Sequence, residues 1–366
     1  MSRLQERIEA LRAEHLPDAR LGVWDVAVEE ADGASRVVGA VSEVGAVEPL
    51  LEAAEGAGAT FDVRILPDSS LGPLRATAHR SLAHLRREPR HAAELVSQMI
   101  LGEEALVLDA DGEWLRVQTG DRYVAWVHRS SVVRARARDR DTFRRRLFRR
   151  DPPADTWVVT ARGIVMRASP EPHAPVVCDL VEGARVAVEV PDADSLERRA
   201  ARIRLPDGTT GWVPAGAVLP ADRLAERFSP EGRAILDHAA QFLGLPYLWG
   251  GTSEKGFDCS GLVQRVYGLH GRWLPRDSDQ QAVEGEPVDP GDRWEHVRAG
   301  DLAFFSETPG KITHVGILAE GGRLLHASTT RHGVAWDALG PTASDRTEFG
   351  ERLAEMLVGV RRVLAA

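Results

Sequence analysis

Cys259 sits in the run Phe257, Asp258, Cys259, Ser260, Gly261, and two histidines follow it, His314 in T-H-V-G-I-L and His326 in L-L-H-A-S. A thiol attacks as thiolate, and an imidazole held in place by a third polar group is the usual means of removing its proton. These three residues have the types and order of a cysteine hydrolase site. Cys178, between Val177 and Asp179, has no such company and reads as a small buried hydrophobe.

The elements around them are legible from periodicity. Between residues 260 and 269, Leu262, Val263, Val266 and Tyr267 follow a helical period, which sets Cys259 at a helix N-terminus. Free backbone N–H groups and the helix dipole there favour a negative sulfur. Residues 301–305 and 315–318 read as strands, and Gly321-Gly322 marks a turn into a further strand at 323–327. Side chains alternate faces along a strand, so the two histidines share a face only if the connecting loop is odd in length. A three-residue loop of Glu320, Gly321 and Gly322 meets that condition, and a two-residue Gly-Gly turn does not. The longer loop is expected.

The text L-G-L-P-Y-L-W-G-G at residues 243–251, then F-D-C-S-G-L-V, G-D-L-A-F-F, H-V-G-I-L and L-L-H-A-S, resembles the NlpC-type papain-like cysteine peptidases, which cleave peptides derived from bacterial cell walls. The match runs over most of residues 230–330. Carried over by position, the resemblance implies that Cys259 is the nucleophile, His314 the base and His326 the polar residue that orients it. The chain has no asparagine, so a Cys-His-Asn site is excluded by composition. The resemblance further implies that Tyr247 helps bind the oxyanion, and that Asp258, Ser260, Asp277 and Ser278 contact substrate. Asp277 also reads as the cap of a helix starting near Ser278. No metal or organic cofactor is needed for this chemistry.

At 366 residues the chain exceeds one usual domain, and 43% hydrophobic with 28% charged residues describes a globular protein. Two cysteines give no disulfide framework. The start, M-S-R-L-Q-E-R-I-E-A-L-R, has no apolar signal core and no segment has the length of a membrane span, so a cytoplasmic protein without membrane contact is expected. A net charge of -9 argues against nucleic acid as a partner. The arginine-rich stretch 134–150 reads as a linker helix paired with acidic neighbours.

Upstream, Leu4, Ile8 and Leu11 space a helix, Trp24, Val26 and Val28 alternate as a strand, Pro49 can begin a helix through Ala57, and Phe61, Val63 and Ile65 alternate again. Two later segments resemble each other: Leu115, Arg116, Val117 before Trp126-Val127, and Ala201, Arg202, Ile203 before Trp212-Val213, each with a polar turn between. They look like bacterial SH3-like domains. The expected fold is therefore α+β: a small α+β domain over residues 1–70, SH3-like β-barrels at 77–135 and 155–219, and a papain-like NlpC-type catalytic domain at 226–366, opening on a helix at 237–243. This arrangement resembles the branch of the family that processes wall-derived peptides inside the cell, where the first SH3-like module narrows the cleft. Glu94 and Tyr123 are the comparable substrate-binding candidates here.

The resulting expectation is cleavage of the γ-D-glutamyl bond to a diamino acid in murein peptides with a free N-terminal L-Ala. A catalytically silent murein-peptide binding protein and an acyltransferase using the same acyl-enzyme remain open. The sequence is silent on the oligomeric state.

Overall fold

A computed structural model describes residues 2–31, 33–136, 139–189, 199–308, 310–341 and 343–364. The chain divides into two compact units, one of residues 1–78, 83–94 and 104–152, the other of residues 79–82, 95–103 and 153–366.

The first unit opens with helices Arg3–His15 and Val47–Gly56 on a three-stranded sheet of Trp24–Ala31, Ala34–Val41 and Thr60–Ile65. Leu4, Ile8 and Leu11 from one helix and Leu50 and Ala54 from the other bury against Val37 and Val41. One strand was not read from the sequence, and one helix start is corrected. The strand Ala34–Val41 carries A-S-R-V-V-G-A-V, which has no clean alternation; it is the central strand, hydrogen-bonded along both edges. The second helix starts at Val47, so Pro49 lies within its first turn, where a missing N–H costs nothing. Helix Arg140–Arg149 is capped by Asp139, buries Phe143 and Leu147 against Leu106 and Leu108, and pairs Arg146 with Glu104 at 2.6 Å.

The two similar segments form hairpins of matching register. Arg116 lies across from Trp126 and Leu115 from Val127; Arg202 lies across from Trp212 and Ala201 from Val213. Each turn is closed by a residue in the left-handed region, Arg122 at φ 67° and Gly208 at φ 89°. The second hairpin belongs to a seven-stranded sheet in the second unit, built from strands between Thr156 and Pro220.

The remainder of the second unit is a six-stranded antiparallel sheet in the order Glu286–Val288, Leu357–Arg362, Leu302–Phe305, His314–Ala319, Arg323–Ser328, Gly333–Ala338. Strands Leu302–Phe305, His314–Ala319 and Arg323–Ser328 are buried on both faces. Leu302, Phe304, Val315, Ile317 and Leu325 face helices Gly232–Ala240 and Cys259–Leu269, while Phe305, Leu318 and Leu324 pack with Leu353 of helix Glu348–Glu355. The first helix begins at Gly232, five residues before the expected 237, because Ile235 and Leu236 already belong to its buried face. No helix among the described residues is long and apolar enough to cross a membrane.

Candidate active site

Cys259 is the first residue of helix Cys259–Leu269, and the cap before it is Asp258. Asp258 Oδ1 accepts the Gly261 N–H at 2.7 Å and Oδ2 accepts the Gly250 N–H at 2.9 Å, so one carboxylate ties the helix start to the preceding glycine turn. Arg276, 1% exposed, closes on the same carboxylate with Nη1 to Oδ1 at 3.1 Å and Nη2 to Oδ2 at 2.6 Å. Its Nη1 also donates to Ser260 Oγ at 2.9 Å and its Nε to Ser97 Oγ at 3.1 Å. A buried guanidinium and a buried carboxylate are tolerable only when each satisfies the other in this way. The polar atoms of Asp258 and Ser260, expected at the substrate, are thus engaged in holding the segment that carries the thiol.

The two histidines lie on neighbouring strands of one hairpin, joined by the three-residue segment Glu320–Gly322. Ile317 pairs with Leu325 and Ala319 with Arg323, a register that puts His314 and His326 on one face. His314 Nε2 and His326 Nδ1 are 2.7 Å apart, with the rings edge to face. His326 Nε2 continues to Asp337 Oδ2 at 3.0 Å.

Burial, and next the charge of Asp258, push the Cys259 thiol up to about 12, against the N–H groups of Val315 and Ser260 and the charge of Arg276, which pull it down. Burial, with the charge of His326, pushes the His314 imidazole down to about 3. This corrects the expectation of a negative sulfur at the helix start: the cap is itself a carboxylate and the thiol is buried. Both shifts favour the uncharged forms of the thiol and the imidazole.

Tyr247 precedes this helix on an extended segment that bridges to Phe257, and its N–H donates to His332 O at 3.1 Å. Burial, then the charges of Cys259 and Asp258, push its hydroxyl up, so it is a neutral donor beside the thiol. Asp277 caps the short helix Ser278–Gln281 and forms a capping box with Gln280, as its alternative reading had it. Gln281 Nε2 donates to Ser260 O at 3.1 Å, which ties Ser278 and Asp277 to the helix of Cys259. Glu94 and Tyr123 fall in the first unit, where the Glu94 carboxylate pairs with Arg87 at 2.5 Å and Tyr123 is buried. Cys178, on strand Val176–Leu180 of the seven-stranded sheet, is pushed up to about 11 by burial and then by Asp179 and Asp207.

Sequence reasoning missed Arg276 and Asp337. The signal for Asp337 was available in part: Asp337 stands at an even step from Ala335, the residue opposite His326, and so shares its face. Arg276 had no comparable signal, since no periodicity links it to Asp258.

Two family models match the chain: the NlpC/P60 family over residues 244–350 and the bacterial dipeptidyl-peptidase Sh3 domain over residues 85–132. A gamma-D-glutamyl-L-lysine dipeptidyl-peptidase of Bacillus cereus is 27% identical over 254 residues, covering 67% of this chain and 70% of that protein. A probable endopeptidase of Corynebacterium glutamicum is 34% identical over 174 residues, covering 44% of this chain and 75% of the relative. Among solved structures, an NlpC/P60 family protein from Bacillus cereus superposes with a TM-score of 0.62 at 23% identity, over 80% of this chain and 100% of its own, a likeness of fold.

Proposed function

Because the chain belongs to the NlpC/P60 family of cysteine peptidases, whose members act on peptidoglycan peptides, we propose that it hydrolyses the γ-D-glutamyl bond to a diamino acid in murein peptides bearing a free N-terminal L-Ala. The observation that carries this reading is Cys259 at a helix N-terminus, beside the N–H groups of Ser260 and Val315, with His314 and His326 hydrogen-bonded in line. The activity for which the Bacillus cereus relative is named supports the choice of bond.

Cys259 attacks the γ-carbonyl as its proton passes to His314. The oxyanion accepts hydrogen bonds from the Cys259 N–H and the Tyr247 hydroxyl; removing one such donor costs about 10²- to 10³-fold in rate. His314 then protonates the leaving amine, the C–N bond breaks, and the acyl group stays on sulfur. Water, deprotonated by the same imidazole, releases the γ-D-glutamyl product and restores the thiol. His326 holds His314 throughout. The substrate ammonium needs a carboxylate partner, since burying it alone costs several kcal/mol, and Asp277 with Ser278 serves this purpose beside the helix of Cys259. A requirement for a free amine suits fragments already released from glycan, so the enzyme works in the recycling of wall peptides within the cell.

The test compares kcat/KM for L-Ala-γ-D-Glu-diaminopimelate and its N-acetylated form, in the wild type and in Asp277→Ala. The proposal expects release of the dipeptide L-Ala-γ-D-Glu, a strong preference for the free amine and loss of that preference in the variant. Equal values for both peptides in the wild type would refute the amino-terminal requirement.

A further inference from the structure

Asp337 lies behind the histidine pair and has no role in the chemistry above. Its strand, Gly333–Ala338, is the edge strand beside that of His326; His326 pairs with Ala335 and Leu324 with Asp337. His314, His326 and Asp337 therefore step diagonally across three adjacent strands on one face, a spacing that long polar side chains bridge. The carboxylate is buried and receives His326 Nε2 at 3.0 Å, Arg331 Nε at 3.1 Å and Arg331 Nη2 in close contact. Burial works to raise the Asp337 carboxyl, but hydrogen bonds from His326 and Arg331 and their charges outweigh it and hold the group below the usual carboxylate range. Arg331 also donates to Thr347 Oγ1 at 3.1 Å and lies over the Phe349 ring, whose face stacks on His326.

We propose that Asp337, held by Arg331, is a positioning residue that sets the tautomers of both histidines and so directs the free nitrogen of His314 at the thiol. Protons can be counted along the hydrogen-bonded chain. An ionised carboxylate only accepts, so His326 Nε2 carries the hydrogen. When His326 carries no second proton its Nδ1 is bare, and the 2.7 Å contact then requires His314 Nε2 to donate to it. Neutral His314, its proton spent on Nε2, keeps the lone pair on Nδ1 for the Cys259 proton. Had His326 taken the other tautomer, its Nδ1–H would donate to His314 Nε2, and His314 would point a hydrogen at the thiol. The ion pair with Arg331 offsets the carboxylate charge, so that His326 meets a fixed acceptor more than a field.

The inference rests on the cysteine-peptidase reading of the site, and its test has one arm that needs no substrate. In the full-length chain with ¹⁵N-labelled histidine, long-range ¹H–¹⁵N spectra report the protonated nitrogen of each ring; His314→Gln and His326→Gln assign the signals. The proposal expects both residues as Nε2–H tautomers in the wild type and a mixture at His326 in Asp337→Ala. On the tripeptide, Asp337→Ala should lose about 10²-fold or more in kcat, the lower end of what a positioned general base contributes, with KM unchanged. Asp337→Asn, which keeps an oxygen able to accept from His326, should recover part of both signals. An Nδ1–H tautomer of His326 in the wild type overturns the proposal, as does a folded Asp337→Ala with wild-type spectra and kcat. If the wild type leaves the tripeptide uncut while the spectra behave as expected, the tautomer inference stands and the substrate assignment falls.

Discussion

The pair His314–His326 and the pair His270–His238 share one wiring and end in different places. In each, Nε2 of the first ring meets Nδ1 of the second, at 2.7 and 3.0 Å, and Nε2 of the second meets a carboxylate, Asp337 at 3.0 Å and Glu182 at 2.9 Å. Both are buried. The difference is at the open end. His270 Nδ1 contacts the Ser229 carbonyl, which only accepts, so that nitrogen must carry hydrogen. Burial pushes the His270 imidazole down, so its Nε2 is bare and accepts from His238 Nδ1–H. His238 Nε2 and the Glu182 oxygen then need one further proton between them. An acceptor at both ends fills the chain with hydrogen and makes it a staple. The active-site chain has an acceptor at one end alone, and the lone pair left over at the other end is the base.

The largest separation of the two chains should appear in turnover. His314→Ala should reduce kcat on L-Ala-γ-D-Glu-diaminopimelate by about 10²- to 10⁴-fold, the range of general-base catalysis, while His270→Ala leaves kcat unchanged. An equal loss in both variants would end the distinction. Next in size, His326→Ala should reduce kcat less than His314→Ala, because it removes the support and leaves the base. The reverse order exchanges their roles.

The staple is tested by stability. Glu182→Ala should lower the urea-unfolding free energy by about 1–3 kcal/mol, the cost of leaving a buried polar group unpaired. Glu182→Gln should cost less than Glu182→Ala, since its amide N–H supplies the hydrogen that His238 Nε2 requires. Equal losses for Ala and Gln would contradict the proton count.

A further effect concerns pH. His314 is pushed down to about 3 in the fold, below the ordinary histidine value of about 6.5. Between those values the unfolded chain binds the proton that the folded one refuses, so stability is full above the upper value and falls as pH drops toward the lower one. The urea midpoint should therefore decline between pH 7.5 and 4.5, and His314→Gln should flatten that decline. An unchanged slope would show that His314 is not held neutral.

The same contrast explains what was legible in the sequence. Cys259 at a helix start, and the parity that puts His314 and His326 on one face, follow from local periods of 3.6 and 2 and an odd loop, all of which are short-range. The matching hairpins at Arg116/Trp126 and Arg202/Trp212 are legible for the same reason. Strand Ala34–Val41 was missed because its partners on both sides, not its own pattern, hold it extended. Arg276 and the chain His270–His238–Glu182 were missed because they join distant segments by geometry that no spacing announces. The sign of the thiol shift failed for a related cause: a helix N-terminus is a local feature, whereas burial of Cys259 is a tertiary one.

Turnover by Cys259→Ala tests the central claim most directly. Alanine removes the sulfur, and the loss of volume is small for a residue at a helix start. With the fold verified by its unfolding transition, the variant should release no dipeptide from L-Ala-γ-D-Glu-diaminopimelate while Cys178→Ala retains wild-type kcat. Undiminished release by Cys259→Ala would contradict the account.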